Sequence, residues 1–461
     1  MWRGNFTGKI MSKPLKKQIK LGAFLMQTGH HIAGWRHPEA AAEASFSFQH
    51  YADLAKRAEA AKFDAVFLAD SVGVRQPDNS ALFRSARAAH FEPLTLLSAL
   101  AAVTQKIGVI GTASTSFNEP YTLARQFASL DQLSNGRAGW NLVTSSSGEE
   151  AKNFGLETHY AHQTRYQRAQ EFHDVVTNLW DSWDDDAYVG DKVQGIYTKP
   201  NSVRPLNHRG EFFSVAGPLN VTRSAQGHPV VVQAGASEAG RSLAAATAEV
   251  IFVAHQTLEE GQQFYKDIKN RVAAFGRNPD HTLIMPGAFP VIGESRAHAQ
   301  EKFEQLQELI HPEVGLALVS SLLGIDLQGV DVDSPLPAIP ETEGAKSRRQ
   351  LLLDLAGREQ LSIRDLYLKI AGARGHWQLV GTANDIADQL QLWFESGAAD
   401  GFNIMAPWLP GGLIEFIDHV LPELRRRGLF RTEYSGSTLR EHLGLPIPAA
   451  HASRKLQGAV A

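Results

Sequence analysis

Residues 229–242 read PVVVQAGASEAGRS. An apolar run ends at Gly235, a turn of small residues follows, and Ser237 stands where it can cap the next helix. The first amides of such a helix point outward with the helix dipole behind them, so the turn can receive a small anion. Ser237 acting as a plain helix cap is an equally simple reading. Gly235–Ser242 also approaches the phosphate loop of nucleoside triphosphatases, but Arg241 stands in place of the lysine and Glu238 would repel phosphate. A single phosphate, as on a mononucleotide cofactor, suits the turn better.

The ends of the other apolar runs carry mostly neutral polar groups. They are Gln27, Gly29 and His30, then Asp70 of FLAD, Thr112 and Ser114 of GTAS, Asn141, Thr144 and Ser145 of GWNLVTS, and Gln233. No paired carboxylates at one mouth suggest glycoside chemistry. No G-x-S-x-G motif occurs, and the chain has no cysteine for a thiolate or a Cys-based zinc site. His30, His31 and His37 lack an H-E-x-x-H pattern or a second ligand cluster, so no metal is expected. Amides and hydroxyls without a strong acid, base or metal suit a cofactor that carries the reaction. His30, His31, Trp35, Arg36 and His37 together would favour an anionic substrate, unless Arg36 and His37 are paired internally.

The elements that must position these groups follow from the pattern. Of the 461 residues, 43% are hydrophobic and 20% charged, as in an ordinary globular chain. A net charge of −4 gives no general affinity for nucleic acid or anionic membrane. No run reaches membrane-spanning length and the basic N-terminus has no secretory core, so a cytoplasmic enzyme fits. Eight apolar runs, 19–25, 65–70, 107–114, 138–145, 229–235, 249–254, 283–293 and 401–408, lack polar alternation, as strands buried on both faces do. Helical periodicity lies between them at 48–63, 120–133, 164–183 and 382–394, the last beginning with a Thr382/Asp385 capping pattern. The expected architecture is an α/β fold, a (β/α)8 barrel with long insertions at about 188–228 and 294–379. A doubly wound sheet is the alternative. Residues 1–18 read as an extension, 19–445 as one domain and 446–461 as a tail, with 331–345 the strongest linker candidate.

Across 19–445, the stretches GHHIAGWRHP, KFDAVFLAD, LDQLSNGRAGWNLVTS, RYQRAQEF and GPLNVTRSAQGHPVVVQAGASEAGR give the chain a resemblance to the bacterial luciferase-like flavin-dependent monooxygenases. The branch resembled holds the nitrilotriacetate monooxygenase oxygenase component, pristinamycin synthase and dibenzothiophene-sulfone monooxygenase. The resemblance implies a TIM barrel that uses FMN as FMNH2, supplied by a separate NAD(P)H-dependent flavin reductase, with O2 as co-substrate. It also implies a homodimer or homotetramer. Asp70 and Thr112 would face the flavin, and His162, Tyr166, Ser237 and Ala236 would hold its ribityl-phosphate end. Without the resemblance, Tyr166 reads as the start of an apolar stripe, His162 as a loop histidine, Asp70 as a helix cap, and Thr112 and Asn141 as satisfied strand-end groups. Asn141 and Thr112 are the expected donors to the reacting oxygen, and His30 the expected proton donor or substrate contact. The expected reaction oxygenates a small anionic molecule, an aminopolycarboxylate or organosulfur compound, at a C–N or C–S bond. The alkane-oxidising relatives carry a Cys near Gln27 and a His near Ser146, and neither is present here. A flavin-binding sensor and, further off, a phosphate-loop NTPase are the alternatives.

Overall fold

The apolar runs form strands because helices or the barrel interior cover both of their faces. A computed structural model describes residues 17–74, 79–235, 237–339 and 346–450. In it β1 (Lys20–Phe24), β2 (Ala65–Leu68), β3 (Gly108–Ser114), β4 (Ala138–Val143), β5 (Val230–Ala234), β6 (Val250–Val253) and β7 (Leu283–Ile292) pair in parallel, each with the next. The ring closes through Gly401–Ile404, which pairs with both β7 and β1. This is the closed eight-strand barrel, and closure sets the doubly wound alternative aside.

A ninth strand lies outside the ring. β8 (Trp377–Gly381) pairs with the far half of β7, from Ala288 opposite Trp377 to Ile292 opposite Gly381, so the barrel strand Gly401–Ile404 becomes β9. In the sequence β8 is hidden at the end of the second insertion. Its residues alternate between buried and half-buried. A strand covered on one face lacks the continuous apolar run that marks the other eight.

Side chains alternate between the interior and the helical shell. Phe24, Phe67, Ile110, Val232, Phe252 and Met285 fill the interior, while Trp140 and Leu142 point outward against the helices Pro120–Leu133 and His162–Trp180. Truncating a fully buried aromatic such as Trp140 would cost about 3–5 kcal/mol. The helix Leu439–Leu443 seals the N-terminal end of the barrel. Leu439 packs so close to Gly108 that a Cβ there would lie 2.5 Å from it.

The helices start and stop where local chemistry dictates. Pro120–Leu133 ends as the sequence suggests, with Asn135 and Gly136 turning the chain at φ values of 57° and 81°. The third helix runs from His162 to Trp180, not 164–183, because Trp183 leaves the helix and donates its indole N–H to the Leu219 carbonyl. Thr382 and Asp385 form the capping box of Ala383–Glu395. The first insertion carries two hairpins, Tyr188–Asp191 with Ile196–Thr198 and His208–Arg209 with Ser214–Val215. Among the described residues the second carries four helices, Arg296–Glu308, Pro312–Leu323, Lys346–Glu359 and Ile363–Ile370. The last three share a core with Ile32 and Ala33, so this insertion roofs the segment that leaves β1. Of the linker candidate, 340–345 lies outside the described residues, and Pro335 is bridged to Ser362. Among the described residues, no helix is long and apolar enough to cross a membrane.

Candidate functional site

The site is built from strand parity. Ile110 points inward, so Thr112 does too; Asn141 lies directly across from it on β4. The Thr112 hydroxyl donates to the Leu68 carbonyl at 2.8 Å, which uses its one proton. Asn141 Nδ2 must therefore be the donor in its 2.8 Å contact with Thr112 Oγ1, and this fixes the amide's orientation. Asn141 Oδ1 is left buried without a partner. The structure thus corrects the expectation that Thr112 donates into the mouth; the Asn141 amide brings its unmet Oδ1 there and keeps a second N–H beyond the one given to Thr112.

Gln27 Oε1, His90 Nδ1 and His255 Nε2 are also buried and unpartnered. These atoms, like Asn141 Oδ1, lie on the C-terminal side of the barrel. An unmet buried polar atom costs about 1–3 kcal/mol, so Asn141 Oδ1, which strand parity points into the barrel mouth, fits a bound polar molecule there. Beneath it is an aromatic floor. Phe24 meets Phe67 and Phe252 edge-on at 4.6 and 5.5 Å, and Phe252 stacks on His376 at 4.9 Å. Asp70 is held by His90 at 3.1 Å, both partly buried.

The β5 turn brings together residues far apart in sequence. Ser237 caps the helix Glu238–Thr247, its Oγ accepting from Gly240 N at 3.1 Å. The Tyr166 hydroxyl lies 3.4 Å from that Oγ, and the His162 ring packs on Tyr166 at 4.8 Å. A Cβ on Gly240 would lie 3.1 Å from Ser237 Oγ and 3.2 Å from the Tyr166 hydroxyl, so glycine there lets both groups approach closely. Arg271 forms a bidentate pair with Glu238 and holds its carboxyl below the usual range, which mutes the repulsion that Glu238 would exert on an anion. Ala236 lies outside the described residues. The unmatched Asn141 oxygen and the cradle at the β5 turn fit an aromatic cofactor with a phosphorylated tail.

Other expected positions move away from the site. Gln233 points outward and donates to Thr247 at 2.6 Å. His30 is fully buried; its Nε2–H donates to the Phe24 carbonyl at 3.0 Å, leaving Nδ1 as an acceptor 3.3 Å from Arg374 Nη2. Burial first, then the charge of Arg374, holds its pKa well below that of a free histidine. A neutral ring with its one N–H committed is not poised as the expected proton donor. His31 is buried against Gln307 at 3.0 Å, with burial pushing its pKa down to about 4. Arg36 donates to the Leu309 carbonyl and His37 stacks on Trp408 at 4.0 Å. Of the expected cluster, His30 and His31 are buried in the protein's own packing, while Trp35 and Arg36 line an open pocket with Phe83, Arg84 and His311.

Two residues that sequence reasoning does not single out contact His30. Arg87 donates to the His30 carbonyl, and Arg374 approaches His30 from the second insertion. The one local signal is Arg374-Gly375, where both residues take positive φ.

With this geometry in view, residues 24–400 match the family described as luciferase-like monooxygenase. The chain is 51% identical to N-acetyl-S-(2-succino)cysteine monooxygenase of Bacillus subtilis (strain 168), over 94% of this chain and 98% of that protein. It is 49% identical to nitrilotriacetate monooxygenase component A of Aminobacter aminovorans, over 94% and 97%. A solved structure of riboflavin lyase (RcaE) with modified FMN and riboflavin superposes with a TM-score of 0.85 at 32% identity, over 94% of this chain and 97% of that one. The barrel, the matched span and these near full-length relatives agree: the chain belongs to the luciferase-like monooxygenase family.

Proposed function

We propose that the protein is the oxygenase of a two-component system. It takes FMNH2 from a separate NAD(P)H-dependent flavin reductase and uses O2 to oxygenate a small anionic molecule at a C–N or C–S bond. The observation that carries this reading is the convergence of His162, Tyr166 and Ser237 at the β5 turn, on the same side of the barrel as the unmatched Asn141 Oδ1. The relatives add direction: one is named for a thioether carboxylate, the other for an aminopolycarboxylate and as one component of a system.

The Ser237 turn, Tyr166 and His162 would hold the phosphate, with Ala236 in the same turn, and Asp70, Thr112 and Asn141 would surround the ring. When bound, reduced FMN supplies two electrons, so that one atom of O2 enters the substrate and the other leaves as water. The chain's own residues do the rest. Asn141 Oδ1, unpartnered in the free protein, would accept a hydrogen bond from the bound reactants above the apolar floor of Phe24, Phe67 and Phe252. Thr112 locks the Asn141 amide. Neutral His30 positions Arg374 rather than donating a proton. The same reading includes a cytoplasmic homodimer or homotetramer.

The test is calorimetry with oxidised and reduced FMN, followed by oxygen uptake with a flavin reductase, NADH and candidate substrates. FMN uptake and substrate-dependent oxygen consumption are the expected results. FMN uptake with no turnover on any carboxylate would favour a sensing barrel, and no FMN uptake by folded protein would end the flavin reading.

A further inference from the structure

Two guanidinium groups meet at His30. Arg87, on the segment between β2 and the helix Pro93–Val103, donates to its carbonyl. Arg374, from the end of the second insertion, lies 3.3 Å from both His30 Nδ1 and Met26 Sδ. His30 is fully buried, while both arginines are only partly so. Arg374 sits at φ 50°, a left-handed conformation that a residue with a side chain keeps only where its surroundings enforce it. Here they do: Arg374 N donates to the Ile370 carbonyl at 2.8 Å, and Ile32 N to the Ala371 carbonyl at 3.0 Å, tying this segment to the one leaving β1.

The placement matters as much as the contacts. In the eight-strand ring, β1 and β5 are four strands apart in either direction, so they face each other across the mouth. The anion cradle is at β5 and the arginines are at β1. Guanidinium groups bind carboxylates through paired N–H bonds, and a fixed fork loses little freedom on binding. The geometry points to Arg87 and Arg374 as the specificity-determining pair that anchors a terminal carboxylate of a small polycarboxylate substrate, across the mouth from the cofactor phosphate. His30 is a positioning residue: its neutral Nδ1 accepts from Arg374 and adds no competing charge. This assignment rests on the flavin reading only for what occupies the β5 side.

The test is calorimetry on the full chain, with and without oxidised FMN. The probes are nitrilotriacetate, N-acetyl-S-(2-succino)cysteine and the trimethyl ester of nitrilotriacetate. The wild type is expected to bind at least one free carboxylate and to bind the ester at least tenfold more weakly than nitrilotriacetate. Arg374→Gln and Arg87→Gln should each weaken carboxylate binding tenfold or more while changing FMN affinity less than twofold. Should a Gln variant fail to fold, Arg374→Lys, which keeps charge but not the fork, is expected to show a threefold or greater loss. Wild-type protein that binds neither carboxylate, or variants that bind them as tightly as wild type, would overturn the assignment. Arginine-dependent carboxylate binding without FMN uptake would uphold the pair and remove the flavin reading.

Discussion

At the scale of single residues, the polar lining of the mouth is legible in the sequence, but the direction of its hydrogen bonds is not. Strand parity alone places Thr112 and Asn141 inward. That Thr112 gives its proton to Leu68, so that Asn141 presents an oxygen to the mouth, depends on a partner 44 residues away. Replacing Asn141 with Leu would remove that acceptor and keep comparable bulk. FMN affinity should stay within about twofold, while product formed per O2 consumed should fall roughly 100–1,000-fold, the scale of losing one aligned polar group at a reacting centre. Simultaneous measurement of O2, hydrogen peroxide and product checks this. Unchanged coupling would remove Asn141 from the reaction. His30 departs from its expected role for the same reason as Thr112. What it does follows from burial and from Arg374, 344 residues distant, and no local pattern encodes either.

At the scale of elements, all eight barrel strands are readable as apolar runs, and β8 is not, because one of its faces is only half-buried. The turn after β5 is readable too, since Gly235 and Ser237 sit at a strand-to-helix junction. Sequence cannot separate a cap from an anion site there, because one hydroxyl can serve both. The structure shows the cap and also brings Tyr166 and His162 to it. Ser237→Ala separates the two roles. Loss of the cap should cost about 1 kcal/mol of stability in either case. If the turn also holds phosphate, FMN affinity should fall by about tenfold while riboflavin affinity, which involves no phosphate, changes less than twofold. Equal losses for both ligands would leave Ser237 as a cap only. Flavin fluorescence quenching resolves the two.

At the scale of the whole molecule, the second insertion brings a distant part of the chain to the C-terminal side of the barrel. The second insertion packs three helices over the segment leaving β1 and ends by delivering Arg374 there, opposite the β5 turn. The insertion itself is visible in the sequence, but its function depends on a long-range fit that periodicity does not carry. That fit buries the neutral His30 and His31 after β1, and the helix after β6 covers His255; all three have pKa values lowered chiefly by burial, the latter two to about 4. Their effect on stability has a definite sign. In the unfolded chain each titrates near 6.5, so from there down to about 4 the unfolded state binds more protons than the folded one. Their contribution is complete above pH 6.5 and is lost as the pH falls toward 4. Asp131 acts the other way. Burial raises its pKa to about 6, so its contribution is present below about 3.8 and is lost as the pH rises through 6. With one carboxylate set against several histidines, the melting temperature should fall between pH 7 and pH 5. By pH 5, His31 alone should account for roughly 2 kcal/mol of that loss. His31→Gln retains a group that can bond Gln307 but does not titrate, so its melting temperature should fall less over the same interval. Parallel pH profiles for the variant and the wild type would show that the buried His31 ring does not drive the acid sensitivity.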